Sequence, residues 1–323
     1  MTFISYAQNF EDVMLWRALR GVEGGSYIDV GAADPEVHSV TAAFYKRGWR
    51  GVNVEPNSEF FDKLRERRTR DVNLQLALGD SAGEAVFFRI PGTGLSTCSR
   101  PVAERHREAG WSVVEEKVPV RTLAEVCREH MRGAVHFLKI DVEGTEKAVL
   151  SGADFKAFRP WIVVVEATEP LSTEASDSGW AGMLAACGYK DVYFDGLNRF
   201  HVAEERLDAL AGSFSLPPNV FDDFLRAGDE PSRLMQVVLE SQRRAAAAIE
   251  AVRRAGFVVE RKTDESPVTE ADRIAEALIV EGLRAAAPGV PVVAEEEVEA
   301  GVAPGGPARR FWLVDPLDGT KGF

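Results

Sequence analysis

The chain has 323 residues, long enough for one large domain or two, and its 45% hydrophobic and 28% charged content is that of an ordinary soluble globular protein. A formal net charge of −13 argues against a broad nucleic-acid surface, because a phosphate backbone is met by clustered Lys and Arg. No apolar run reaches membrane-span length, the start MTFISYAQNFEDVML lacks a signal peptide's basic-then-apolar order, and the isolated Cys98, Cys127 and Cys187 fit a reducing cytoplasm.

In chain order, Ser5–Leu19 reads as a helix with Phe10, Val13, Met14, Leu15 and Leu19 as its apolar marks. Gly24 and Gly25 then launch SYIDVGAADPEVHSVTAAFYKRGWRGVNVEP, residues 26–56. Tyr27–Val30 is a buried parallel strand that stops at Gly31; a small-residue loop, Ala32 to Pro35, leads to a helical stretch from Ser39 to Arg47. Gly51–Val54 is a second strand, ending in Glu55. Strand, loop, helix, strand and terminal acid is a nucleoside-binding unit, in which the acid accepts from the ribose hydroxyls. A dinucleotide needs G-x-G-x-x-G; here Gly31 stands alone and Asp34 would repel a pyrophosphate. S-adenosylmethionine carries a sulfonium and an ammonium but no phosphate, and suits Asp29, Asp34 and Glu55 better. An ordinary α/β crossover with a turn glycine and a surface acid fits the same residues about equally well.

Ser58–Arg68 is a charged helix with Phe60, Phe61 and Leu64 as its buried stripe, and Leu74–Leu78 reads as the third strand. Asp80 after it is either an acceptor for an adenine amino group or a turn aspartate. Ala85–Ile90 is a strand, and Pro91–Arg100 a polar loop placed to gate a site. His136–Ile140 is a fourth strand with Asp141 at its end, followed by Glu143, Gly144 and a short helix, Thr145–Leu150. Trp161–Val165 delivers Glu166 to the same edge. Ligands of open α/β sheets bind beyond the carboxyl ends of the strands, so Asp29, Glu55, Asp141 and Glu166 converge there.

From about Ile4 to Phe224 the chain resembles the FkbM family of S-adenosylmethionine-dependent methyltransferases. The resemblance is carried by ISYAQNFEDVML, by YIDVGAADP with NVEP, by LKIDVEGTEKAVLSG and by YFDGLNRFHVAEE with PPNVFDDF. It implies a Rossmann-like class I methyltransferase fold, α/β with a mostly parallel central sheet. Asp29, Gly31, Ala32 and Glu55 would hold S-adenosylmethionine, with Asp80 near the adenine. Asp141 would lie between the methionine part and an acceptor hydroxyl, of a small molecule or a saccharide. Many members read D-V-G-A-N-x-G, whereas this chain has Ala33 and Pro35 at the last two marked positions. The implied reaction is O-methyl transfer, with Asp141, Glu143 and Glu166 as catalytic candidates by position and His38 by its ordinary pKa. Paired acids could instead hold a divalent cation that lowers the acceptor's pKa. A catalytically inert binding module on the same fold is a further alternative.

Leu216–Pro231, with Pro217-Pro218 and Gly228-Asp229-Glu230-Pro231, is a boundary, giving domains over 1–225 and 226–323. Ser232–Gly256 and Thr269–Leu283 read as helices, and Pro291–Ala294 and Phe311–Val314 as strands. KTDESPVTEAD, VPVVAEEE and FWLVDPLDGTKGF resemble the inositol-monophosphatase-like, magnesium-dependent phosphatases, and among them the 3′(2′),5′-bisphosphate nucleotidases. The resemblance implies Mg2+ held by Glu295, Asp315, Asp318 and the Leu317 carbonyl, with Thr320 on the phosphate or water. The sequence stops at Phe323, before the second half of that pattern, so the expectation is a truncated domain inactive alone. The alternative overall function is that phosphatase activity, in a longer fusion product.

Overall fold

A computed structural model describes residues 2–168, 179–228, 230–256, 260–261, 267–268, 270–299, 301 and 311–315. The chain divides into two compact units, Met1–Leu225 and Arg226–Phe323.

The first unit is built on a seven-stranded sheet. Its strands in chain order are β1 (Ser26–Val30), β2 (Arg50–Val54), β3 (Val72–Leu74), β4 (Phe137–Ile140), β5 (Ile162–Glu166), β6 (Tyr189–Phe194) and β7 (Asn198–Ala203). The spatial order is β3-β2-β1-β4-β5-β7-β6. Strands β1 to β5 are parallel to their neighbours, and β7 enters antiparallel beside β5, paired in turn with β6. The chain runs outward through β2 and β3 and then returns to β4 on the other side of β1. That reversal leaves a crevice above the carboxyl ends of β1 and β4, where doubly wound sheets bind ligands.

The central strands are mainly apolar because both sheet faces are covered, with Asp29, Asn53, Lys139 and Glu166 as buried polar exceptions. Ile28, Val52, Leu138 and Val163 point into one core, shared with Val126, Val149 and Leu184. Tyr27, Phe137, Ile162 and Phe200 point into the other, with Leu15, Phe44 and Trp49. Gly51 is needed in β2 because a Cβ there would come within 2.2 Å of the Tyr27 ring.

Three details differ from the sequence reading. The helix expected over Ser5–Leu19 spans only Glu11–Leu19, and Ser5 belongs to a short strand, Phe3–Ser5. The Asp12 carboxylate accepts from Ser5 Oγ and the Tyr6 and Ala7 amides, which ties the extended segment across the helix start. Nor is Leu74–Leu78 one strand. Val72–Leu74 ends the main sheet, while Ala77–Gly79 joins Gly83–Arg89 and Val114–Thr122 in a separate three-stranded sheet. The buried stripe of the helix Ser58–Arg67 is reduced to Leu64.

In the second unit, helices Glu230–Ala255 and Glu270–Ala286 precede two short parallel strands, Val292–Ala294 and Trp312–Val314. Val280, Leu283, Val292, Ala294 and Val314 form its core. Among the described residues, no helix is long and apolar enough to cross a membrane.

Candidate active site

One cavity of about 1060 Å³ opens above the carboxyl ends of β1, β2, β4 and β5. Its floor on the β1 side is Gly31. This residue has φ +76, and a Cβ on it would stand 1.7 Å from the Asp141 carbonyl oxygen, so only glycine fits between the two strand ends. The Gly31 and Ala32 amides both donate to the Val54 carbonyl, which lays the loop along β2.

Glu55, at the end of β2, lines this ledge. Its two oxygens accept from the Ala33 and Asn57 amides, each at 2.8 Å. Burial pushes its carboxyl up to about 7, against the pull of those two amides. Asp34 closes the loop by accepting from the Glu36 and Val37 amides and pairs with Lys63 at 2.8 Å. Ala33 sits at φ 48, in the left-handed region that asparagine or glycine occupies more readily.

On the β4–β5 side, Asp141, Glu143 and Glu166 present carboxylate oxygens within 4.8 Å of one another. Register explains the meeting, since Ile140 pairs with Val165 and the next residue on each strand is the acid. Burial, then the charge of Asp141, holds both Glu143 and Glu166 well above the usual carboxylate range. Glu166 also hydrogen-bonds Asp141. Two carboxyl groups can do that only by sharing a proton.

Several expected positions are placed differently. Asp29 is 1% exposed and lies behind the cavity wall, where Oδ2 accepts from Thr41 Oγ1 at 2.8 Å and Oδ1 faces Lys139 at 3.6 Å. Parallel strands put Asp29 and Lys139 side by side, so the acid meets a lysine instead of a ligand. Asp80 is exposed in the turn after Ala77–Gly79, accepts from Ser81 Oγ, and is not part of the cavity wall. The separate small sheet carries it away. His38 does line the cavity, from an exposed position at φ 58.

Lys139 is the residue that motif reading passed over. Its ammonium donates to the Gly31 carbonyl at 2.9 Å and lies 3.3 Å from Asp141 Oδ2. Burial disfavours the charge, but Asp141 and Asp29 outweigh it and the pKa is raised. A lysine between Leu138 and Ile140 on an otherwise apolar strand was the available signal. The loop from Gly92 to Cys98, within the polar stretch Pro91–Arg100, walls the cavity, and Phe60, Gln8 and Thr168 complete it without any sequence pattern of their own.

In the second unit, Ala294 pairs with Val314, so Glu295 and Asp315 follow at neighbouring strand ends, both exposed. The buried Glu276 accepts from the Glu296 and Glu297 amides at 2.8 and 2.9 Å and fixes the start of the helix Glu295–Glu299. Leu317, Asp318 and Thr320 lie outside the described residues.

A mostly parallel sheet with this reversal, a lone glycine at the end of β1 and an acid at the end of β2 defines a Rossmann-like methyltransferase domain. The chain belongs to the FkbM methyltransferase family, a group of S-adenosylmethionine-dependent enzymes: the model described as "Methyltransferase FkbM domain" matches residues 29–190. The inositol monophosphatase family model matches residues 230–323. Among curated proteins, the 3′(2′),5′-bisphosphate nucleotidase CysQ of Shigella flexneri is 52% identical over 66 residues, 19% of this chain and 25% of that protein. The CysQ of Aggregatibacter actinomycetemcomitans is 34% identical over 92 residues, 28% of this chain and 34% of that protein. The chain thus spans a quarter to a third of the length of these relatives. Among solved structures, a methyltransferase FkbM from Methylobacillus flagellatus KT aligns at TM-score 0.37 and 15% identity, over 56% of this chain and 44% of that one. An O-methyltransferase from Bacillus cereus in complex with SAH aligns at TM-score 0.30 and 14% identity, over 62% and 82%.

Proposed function

We propose that this protein transfers a methyl group from S-adenosylmethionine to a hydroxyl of a small-molecule or saccharide acceptor. The observation that supports this most directly is that the Gly31–Glu55 ledge and the Asp141–Glu143–Glu166 cluster share one cavity. Its roughly 1060 Å³ is at the upper end of ordinary ligand sites, room for a nucleoside and an acceptor together. S-adenosylmethionine supplies a methyl already activated on a sulfonium, so the chain's task is alignment, exclusion of water and removal of one proton. Gly31 lets the ligand lie against the backbone, and the free lone pairs of Glu55 take the ribose hydroxyls. The acidic wall favours the cationic end of the donor. The carboxylate of the Asp141–Glu166 pair that holds no proton accepts the one leaving the acceptor hydroxyl as its oxygen takes the methyl.

Calorimetric titration of S-adenosylhomocysteine into the whole protein and into Glu55→Ala tests the reading. Binding near micromolar (about −8 kcal/mol) that weakens sharply in the variant supports it. Absence of binding to folded wild-type protein rejects it.

A second reading concerns residues 226–323 and rests on Glu295 and Asp315 standing at adjacent strand ends in a unit similar to CysQ. Such oxygen ligands suit Mg2+, which in phosphoester hydrolysis activates water and steadies the leaving oxygen. Phosphate release from 3′-phosphoadenosine 5′-phosphate in magnesium, lost in Asp315→Asn, would assign that activity; none above a mock preparation would dismiss it for this chain.

A further inference from the structure

We propose that Asp141, Glu143 and Glu166 hold a divalent cation of the Mg2+/Mn2+ type, which takes the acceptor's hydroxyls; the inference rests on the methyltransferase reading of the same cavity. Acids at strand ends are common, so the cluster alone would carry little. The distinguishing group is Glu143. It is 9% exposed, and its buried Oε2 has no hydrogen-bond partner. A carboxylate oxygen removed from water and left unpaired is costly, by about 1–3 kcal/mol or more for a charged group. Neither Glu143 nor Glu166 has an ion-pair partner within 4 Å among the described residues, since Lys139 is engaged by Gly31, Asp29 and Asp141.

The spacing fits. Oxygens bound to one ion at about 2.1–2.6 Å lie at most about 5 Å apart, and the three carboxylates already stand within 4.8 Å. Their chemistry fits too, because an all-carboxylate set selects hard cations. The cation replaces the proton shared by Asp141 and Glu166, and Asp141, the most open of the three, faces the cavity. Coordination positions not filled by protein are left for acceptor oxygens, which singles out acceptors with neighbouring hydroxyls. An acceptor hydroxyl on the ion would give up its proton more readily than a free one.

The test is titration of Mn2+ into the whole chain, followed by calorimetry and by the loss of free-ion electron paramagnetic resonance signal. It is repeated on Glu143→Gln, and on a Glu295→Gln/Asp315→Asn double variant that removes those two carboxylates from the second unit. S-adenosylhomocysteine is titrated into each. The expected result is one Mn2+ site that survives the double variant and weakens at least tenfold in Glu143→Gln, while S-adenosylhomocysteine still binds to the double variant as it does to wild type. Equal Mn2+ affinity in Glu143→Gln and wild type, or no Mn2+ binding to the double variant, overturns the proposal. If Glu143→Gln does not fold by circular dichroism, Glu166→Gln is judged by the same criterion. Failure of wild type to bind S-adenosylhomocysteine, with the Glu143-dependent Mn2+ site present, strikes the methyltransferase reading instead.

Discussion

Lys139 and Asp141 stand two residues apart at the end of one strand, with the lysine ammonium 3.3 Å from the aspartate carboxylate and 2.9 Å from the Gly31 carbonyl. A single buried cation thereby joins the Gly31 end of one strand to the Asp141 carboxylate at the end of the next. Lys139→Met is expected to cost about 3–5 kcal/mol, because it leaves Asp29 buried and uncompensated and the Gly31 carbonyl without its side-chain donor. Denaturant unfolding of the first unit measures this. Adding Asp29→Asn should recover part of the loss, and a double variant no better than Lys139→Met would show that the pairing with Asp29 contributes nothing.

Glu55 sets opposite pH signs for folding and for ligand binding. Its folded pKa of about 7 lies above the ordinary 4.5, so the folded state holds the proton more tightly. The stability this provides is present below pH 4.5 and lost as pH rises toward 7. The ionised form is the better acceptor for ribose hydroxyls, so S-adenosylhomocysteine affinity should fall on acidification below about 7, by up to about tenfold per pH unit. Calorimetry from pH 5.5 to 8 on wild type and Glu55→Gln checks it; the same slope in both would reject the assignment.

Gly31→Ala puts a Cβ 1.7 Å from the Asp141 carbonyl at a positive φ. The expected loss is about 2–5 kcal/mol, from left-handed strain together with steric overlap. Gly83→Ala, with nothing within 4 Å and no positive φ, is the control and should change stability by less than about 1 kcal/mol. Thermal unfolding of the pair separates a positional requirement from a general intolerance of alanine.

Ala33 offers the converse. At φ 48 its methyl group is strained, and Ala33→Asn or Ala33→Gly should stabilise the first unit by up to about 1 kcal/mol. A drop in midpoint for both substitutions would mean that the methyl packs usefully enough to offset its strain.

Glu276 gives a prediction in the second unit. Removing the carboxylate that caps the Glu296 and Glu297 amides should cost about 1–2 kcal/mol. Amide hydrogen exchange over residues 295–299 should speed up in Glu276→Ala. Unchanged protection there would show that the bidentate Arg284–Glu297 pair, at 2.7 and 2.8 Å, holds the turn by itself.

Strands β1, β2, β4 and β5 were legible because each is a short, mainly apolar run closed by an acid or glycine, and a strand buried on both faces leaves that mark. Convergence of Asp141, Glu143 and Glu166 followed from the same rule. The orientation of Asp29 did not, since a period of two fixes which face a side chain takes but not what stands beside it on the next strand. Asp80 was misplaced because Leu74–Leu78 is as apolar as a single strand, and the turn at Gln75 that divides it carries no glycine or proline. Lys139 escaped notice because a charge inside a hydrophobic run has meaning only once its partners, over a hundred residues away in Gly31 and Asp29, are beside it.

The Thr97 hydroxyl donates to the Glu143 carbonyl at 2.8 Å, and Thr97 belongs to the loop that walls the cavity from Gly92 to Cys98. Lifting that loop breaks this bond, and with it a restraint on the backbone that keeps Glu143 at φ 54. One wall of the cavity and the posture of one of its acids therefore hang on the same hydroxyl, so any displacement of that loop would be felt at Glu143.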